Sequence, residues 1–166
     1  MRPAELLHMD NNQLEFFEIA ALLPFKQPWL LIDRVVNWEA NKHIVAKKCI
    51  SGADPLVAAH YPLGPSIIPG VLLIELIGQA SLLLTLLSSK KQDENQNSIN
   101  QTAMLAQCKA SFVSPAWVGE TLTARVVRID EIQDKVLHQG IVSVGDRKIC
   151  NVELIGASGK IIAPIS

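Results

Sequence analysis

Apolar and polar positions along the chain divide it into a few well-marked segments. "DNNQLEFFEIAALLP" has the spacing of a short amphipathic helix, with Asn12 placed to cap it, Glu15 in capping-box position, and Pro24 to end it. "WLLIDRVVNWEANKHIVAKKCIS" reads as two β-rich stretches around a polar turn at Glu39–Lys42, hence a hairpin. Residues 52–69 carry Pro55, Pro62, Pro65 and Pro69 and predict an irregular loop. A long apolar helix follows, with Pro69 and Gly70 at its mouth. The polar stretch "SSKKQDENQNSINQ" reads as a solvated loop. Beyond it, strand-like segments fall near 102–113, 121–130, 137–144 and 148–155, with turn signals at Pro115–Gly119, Asp130–Asp134 and Gly145–Asp146. Strands gathered around one wholly apolar helix predict an α+β domain whose sheet wraps that helix and buries it all round.

That burial bears on a second reading of the same helix. Val71–Ser88 is about 27 Å of helix, just short of a bilayer core. It stands alone and carries Glu75, Gly78, Gln79, Ser81, Thr85 and Ser88, so a buried core helix is the expectation and no membrane span is assigned. The 166 residues suit a single domain over 1–166. With 49% hydrophobic and 19% charged residues, the balance leans towards an oligomer or an enclosed apolar cavity. A net charge of −1 gives no case for binding nucleic acid or a membrane surface. Cys49, Cys108 and Cys150 show no metal-ligand spacing and read as unpaired thiols of a reducing compartment. "MRPAELLHMDNNQLEFF" lacks the apolar core and cleavage site of a secretory signal, so a cytoplasmic location is expected.

Candidate chemistry centres on Glu75, which has no basic residue within four positions on either side. A carboxylate taken from water without a partner is costly, so Glu75 should find donors or a wet cleft. His60, in the proline-rich loop, supplies an imidazole able to take or give a proton. Acid–base chemistry needs two titratable groups in different environments, which a loop histidine and a helix glutamate provide. Gly70 lets a substrate approach the backbone, and N–H groups at a helix start favour negative charge developing on a carbonyl oxygen. His8, His43 and His138 show no ligand spacing and attract less interest. There is no GxGxxG or Walker pattern, and without a GxSxG element Ser66 is not a nucleophile candidate.

Several blocks together resemble the β-hydroxyacyl-acyl carrier protein dehydratases of bacterial type II fatty-acid synthesis. They are His60-Tyr61-Pro62, Pro69–Leu72, the Ile74–Glu75 pair and Gln79 four residues on. "LPFKQPWLLIDRV", "KASFVSPAWVGETL" and "KICNVELIGA" resemble the family's other blocks. The resemblance implies a hotdog fold, a curved antiparallel sheet around the central helix, assembled as dimers with the active site at their interface. One subunit would contribute His60 and the other Glu75. It implies His60 as the base at the α-carbon and Glu75 as the acid on the departing β-hydroxyl. Gly70, Val71 and Gln79 fall in the substrate-binding part, the Gly70 N–H polarising the thioester carbonyl. No metal or redox cofactor is implied, since the substrate rides on the phosphopantetheine of acyl carrier protein, the expected partner. Homodimers, trimers of dimers and a heterodimer with a second hotdog subunit are all compatible. So are two other roles, a non-catalytic or co-catalytic hotdog subunit and an acyl thioesterase.

The chain departs from the family pattern in places. One residue more than usual separates His60 from Glu75, and it is expected within Leu63–Ile68. Ala59 stands where glycine is usual and Phe25 where histidine is common. Ser111, Val113 and Ser114 stand where basic residues are frequent. These departures mark a divergent member, one serving a specialised acyl pathway or paired with a different subunit.

Overall fold

The computed structural model describes residues 12–61, 64, 66–92 and 102–159. The first helix, α1 (Phe16–Leu22), starts one turn later than the sequence suggests. Glu15 rather than Asn12 is its cap, and the Glu18 carboxylate accepts from the Glu15 N–H at 2.8 Å to close the capping box. Helical structure stops just before Pro24, as expected. The hairpin forms from β1 (Arg34–Glu39) and β2 (His43–Cys49). At its tip Asn41 takes a φ of 59°, a left-handed conformation that asparagine tolerates better than most residues. The Asn41 N–H donates to Ser88 Oγ at 2.8 Å, tying the turn to the central helix.

Within the loop, Pro55–Ala58 forms a short helix, α2, which the proline count concealed. Proline is compatible with its first turn, and the Asp54 carboxylate caps it by accepting from the Leu56 N–H at 3.0 Å. Of the stretch Leu63–Ile68, Leu63 and Pro65 lie outside the described residues. The central helix, α3 (Gly70–Gln92), begins at the expected glycine but runs five residues into the segment that polarity assigns to a loop. Residues 93–101 of that segment lie outside the described residues, as do the amino-terminal residues that include His8.

The remaining strands are β3 (Thr102–Phe112), β4 (Thr121–Ile132), β5 (Lys135–Val144) and β6 (Arg147–Gly159). All six strands join one antiparallel sheet in the order β1-β2-β4-β5-β6-β3, and α3 touches every one of them. This is the expected hotdog arrangement. Leu76, Ile77, Leu83, Leu84 and Leu87 of α3 are fully buried, and each such side chain contributes about 1.5–3 kcal/mol of hydrophobic stabilisation. Contact is tightest at Gly140 of β5. A Cβ there would come within 2.6 Å of the Ile77 side chain, so only glycine lets helix and sheet approach this closely.

One expectation fails. The helix is not buried all round within a single chain, because a stripe through Val71, Glu75, Gly78, Leu82 and Thr85 stays partly open, with Val71 69% exposed. Among the described residues this is the one helix long and apolar enough to cross a bilayer. Its apolar side chains pack under the sheet instead.

Candidate active site

Glu75 finds one donor far away in sequence and one a helical turn on. Trp29, in the segment between α1 and β1, donates its indole Nε1–H to Glu75 Oε1 at 3.0 Å. Gln79, one helical turn past Glu75, donates Nε2–H to the same oxygen at 2.8 Å. The spacing of four residues puts the two side chains on one face of α3. Gln79 is 0% exposed and also holds the Trp29–Leu31 segment in place. Its Oε1 accepts from the Leu31 N–H at 2.9 Å, and its Nε2–H reaches the Trp29 carbonyl at 2.7 Å. Among the described residues, both donors to the carboxyl thus end on Oε1, which leaves Oε2 uncommitted. Glu75 lines a largely apolar cavity of about 150 Å³ between α3 and strands β5, β6 and β3.

His60 is positioned by a different chain of contacts. Lys48 of β2, nearly buried, lies 3.3 Å from Asp54 and 3.8 Å from Asp33. Asp54 in turn caps α2, and the His60 N–H donates to the Val57 carbonyl at the end of that helix. The imidazole Nδ1 sits 3.3 Å from the Ile67 carbonyl oxygen. A carbonyl can only accept, so this contact places the proton on Nδ1 and leaves the Nε2 lone pair free to act as a base. The Tyr61 ring lies against the imidazole at 4.1 Å between centroids.

The loop behind His60 is pinned to the turn between β3 and β4. Ile68 N–H donates to the Ala116 carbonyl at 3.0 Å, and Val118 N–H to the Ser66 carbonyl at 2.8 Å. Arg147 braces that turn through the Pro115 carbonyl and the Glu120 carboxylate, both at 2.5 Å. The Trp117 N–H first, then Arg147, hold the Glu120 carboxyl below its usual range. His60 and Gly70 open onto a second recess of about 330 Å³, walled by Phe112 and Pro115. A Cβ on Gly70 would lie 3.1 Å from the Phe112 ring, so glycine at the start of α3 makes room for that ring.

The structure therefore brings His60 and Gly70 together, and separately brings Glu75 and Gln79 together. The two recesses share no lining residue. Val71 lies exposed at the helix mouth between them in sequence. Nothing in the sequence marks Trp29 as a site residue, since no local pattern identifies an indole as the partner of a glutamate 46 positions on. His138 was passed over because no ligand spacing involves it. Yet it alternates along β5 with Gly140 and Val142, which places all three on the buried face.

Comparison with known proteins bears on the family and the fold. The model of the FabA-like domain matches residues 23–153. The 3-hydroxyacyl-[acyl-carrier-protein] dehydratase FabZ of Aliivibrio fischeri is 34% identical over 145 residues, covering 87% of this chain and 93% of that protein. The enzyme of the same name from Vibrio cholerae is 31% identical over 148 residues, covering 89% and 94%. Among solved structures, the dehydratase heterocomplex ApeI:P from Xenorhabdus doucetiae superposes with a TM-score of 0.72 at 18% identity, over 86% of this chain and 91% of that one.

Proposed function

The chain belongs to the FabA-like domain family, and on that premise we propose that it is a hydro-lyase. It converts a β-hydroxyacyl thioester on acyl carrier protein to the trans-2-enoyl thioester and water, in fatty-acid synthesis or a specialised, polyketide-like acyl pathway. The observation that carries this reading is the pairing of two differently equipped recesses. One holds an imidazole with its Nε2 free beside a helix start, and the other holds a carboxyl anchored through a single oxygen over an apolar cavity.

The reaction follows from those groups. His60 Nε2 takes the α-proton, and the C–H electron pair becomes the carbon–carbon double bond. The β-carbon–oxygen bond breaks, and the leaving oxygen keeps its electron pair and takes a proton from Glu75 Oε2, departing as water. The α-proton is only weakly acidic, so the Gly70 N–H, with Val71 beside it, polarises the thioester carbonyl as charge builds there. Gln79 acts through Glu75, fixing which oxygen faces the substrate. No electrons are exchanged with a cofactor, and the phosphopantetheine of acyl carrier protein carries the substrate.

Because His60 and Glu75 open onto separate recesses, a second subunit completes each site. Strand β3 supports this, since it ends the sheet as an eleven-residue edge with Met104, Leu105 and Phe112, and Val113 just past its end, more than half exposed. The opposite edge, β1, is shorter, six residues, and Leu14 bridges it at Val35. A long uncovered edge of this kind invites pairing with another chain. A homodimer, alone or in a trimer of dimers, satisfies it, working in the cytoplasm. A heterodimer with a different hotdog subunit is the second reading, favoured by the same edge. Thioester hydrolysis would employ the carboxylate alone and leave the histidine loop without a task.

The test uses the purified protein with a β-hydroxyacyl thioester, read by enoyl absorbance. His60→Ala and Glu75→Gln are each expected to lower kcat by at least about 100-fold. Turnover surviving in both variants would rule out these roles. No turnover by the chain alone, restored by a second subunit, would select the heterodimer.

A further inference from the structure

The cavity at Glu75 is mostly apolar, and beyond the glutamate its polar side chains are Ser81, Thr85 and His138. Ser81 and Thr85 line it from α3, and Val136, His138 and Leu154 line it from the sheet. His138 is 2% exposed, and among the described residues neither of its ring nitrogens has a hydrogen-bond partner. Burial, reinforced by the Arg128 guanidinium on the neighbouring strand, pushes the His138 pKa down to about 4. The ring is therefore neutral near pH 7, offering one N–H and one lone pair. Arg128 itself is engaged with Asn41 and Glu131 and does not serve as the imidazole's partner. A leucine or phenylalanine would fill this place without leaving polar atoms unpaired.

Two hydroxyls share the cavity. Ser81 Oγ donates to the Ile77 carbonyl at 2.8 Å, and Thr85 Oγ1 to the Ser81 carbonyl at 3.0 Å. Their donors are spent on the helix backbone, so each has only lone pairs left to offer. A ligand oxygen bearing a hydrogen can accept from His138 and donate to a hydroxyl lone pair or to the imidazole itself. Ser81 and Thr85 lie six and ten residues past Glu75, about 9 and 15 Å along the helix axis. The reacting carbons sit at Glu75, so this polar point meets the distal part of a bound chain.

We propose that His138 is a specificity-determining residue, and that the acyl chain accepted here carries a hydroxyl or carbonyl oxygen on its distal portion, bound by the imidazole. The proposal rests on the dehydratase reading only for its orientation, with the thioester at Glu75.

The experiment compares pairs of β-hydroxyacyl N-acetylcysteamine thioesters of equal length, one ending in a methyl and the other in a hydroxymethyl group, over a series of lengths. At the length that reaches His138, kcat/KM should favour the hydroxymethyl member about five- to tenfold, the worth of one neutral hydrogen bond. His138→Leu should bring that ratio to one or below, and His138→Gln, which keeps a donor and an acceptor, should retain most of it. His138→Leu is expected to melt no lower than the parent, since it removes buried unpaired polar atoms. A parent that never favours the hydroxymethyl member, or a preference that persists in His138→Leu, overturns the proposal. Calorimetric binding of the corresponding saturated acyl thioesters separates the two readings. Discrimination in binding with no turnover, either alone or with a second hotdog subunit added, would leave His138's role standing and sink dehydration, whereas turnover without discrimination would do the reverse.

Discussion

Gln79→Leu probes the joint on which the candidate site depends. Leucine fills nearly the same volume, so the change removes hydrogen bonds without opening a cavity. Three bonds go: from the Leu31 N–H, to the Trp29 carbonyl and to Glu75 Oε1. Leu31 is 1% exposed, so its N–H is left buried without a partner, at about 1–3 kcal/mol. Trp29 is 44% exposed, so its carbonyl can turn to water at little cost. The bond to the half-buried carboxylate adds about 1 kcal/mol, and the apolar gain of leucine offsets about as much. The net loss is about 2 kcal/mol, or about 4–8 °C in Tm for a chain of this size.

Catalysis should suffer separately. With one of its two anchors gone, Glu75 should deliver its proton less often from the right place, lowering kcat about tenfold with KM little changed. Trp29→Phe is the matched control. It removes the other donor to Oε1 but leaves Leu31 paired, so kcat should fall by a similar factor while Tm moves by less than about 2 °C. Scanning calorimetry and the enoyl assay on both variants decide the matter. A Gln79→Leu protein melting with the parent would mean the Leu31 bond is not holding the segment. An unchanged kcat in Trp29→Phe would mean the anchoring of Oε1 is irrelevant to turnover.

Two further outcomes follow from the core. Gly140→Ala drives a methyl within 2.6 Å of Ile77, which is fully buried and cannot retreat. The cost should be about 1–3 kcal/mol by urea denaturation, with part recovered in Gly140→Ala/Ile77→Val, and no recovery would place the strain elsewhere. His138 should make stability fall in mild acid. Its folded pKa of about 4 lies below the ordinary 6.5, so the unfolded chain binds more protons between those values. Stability is then complete above pH 6.5 and declines as pH drops towards 4, by about 3 kcal/mol at most at about 1.4 kcal/mol per pH unit. His138→Leu should flatten that decline between pH 7 and 5, and parallel slopes for the two proteins would clear His138 of it.

Much of the architecture is written locally. The long, mostly apolar run of α3, the alternation along the strands and the turn at Glu39–Lys42 all report backbone period and solvent preference, which neighbouring residues settle among themselves. The histidine-proline loop and the helix glutamate were visible for the same reason, as a compact block of residue types. Local signals misled where tertiary contacts outweighed them. Ser88 is buried and bonded to the hairpin tip, which carries α3 on through a polar stretch that reads as loop. The partners of Glu75 come from Trp29, 46 positions away, and its orientation rests on Gln79 holding Leu31, 48 positions away. His138 looked like an ordinary strand residue until sheet pairing turned it inward over the cavity. Composition and period specify which residues leave water, but which donor meets which acceptor is a matter of distance between segments, and that is set only when helix and sheet close on each other.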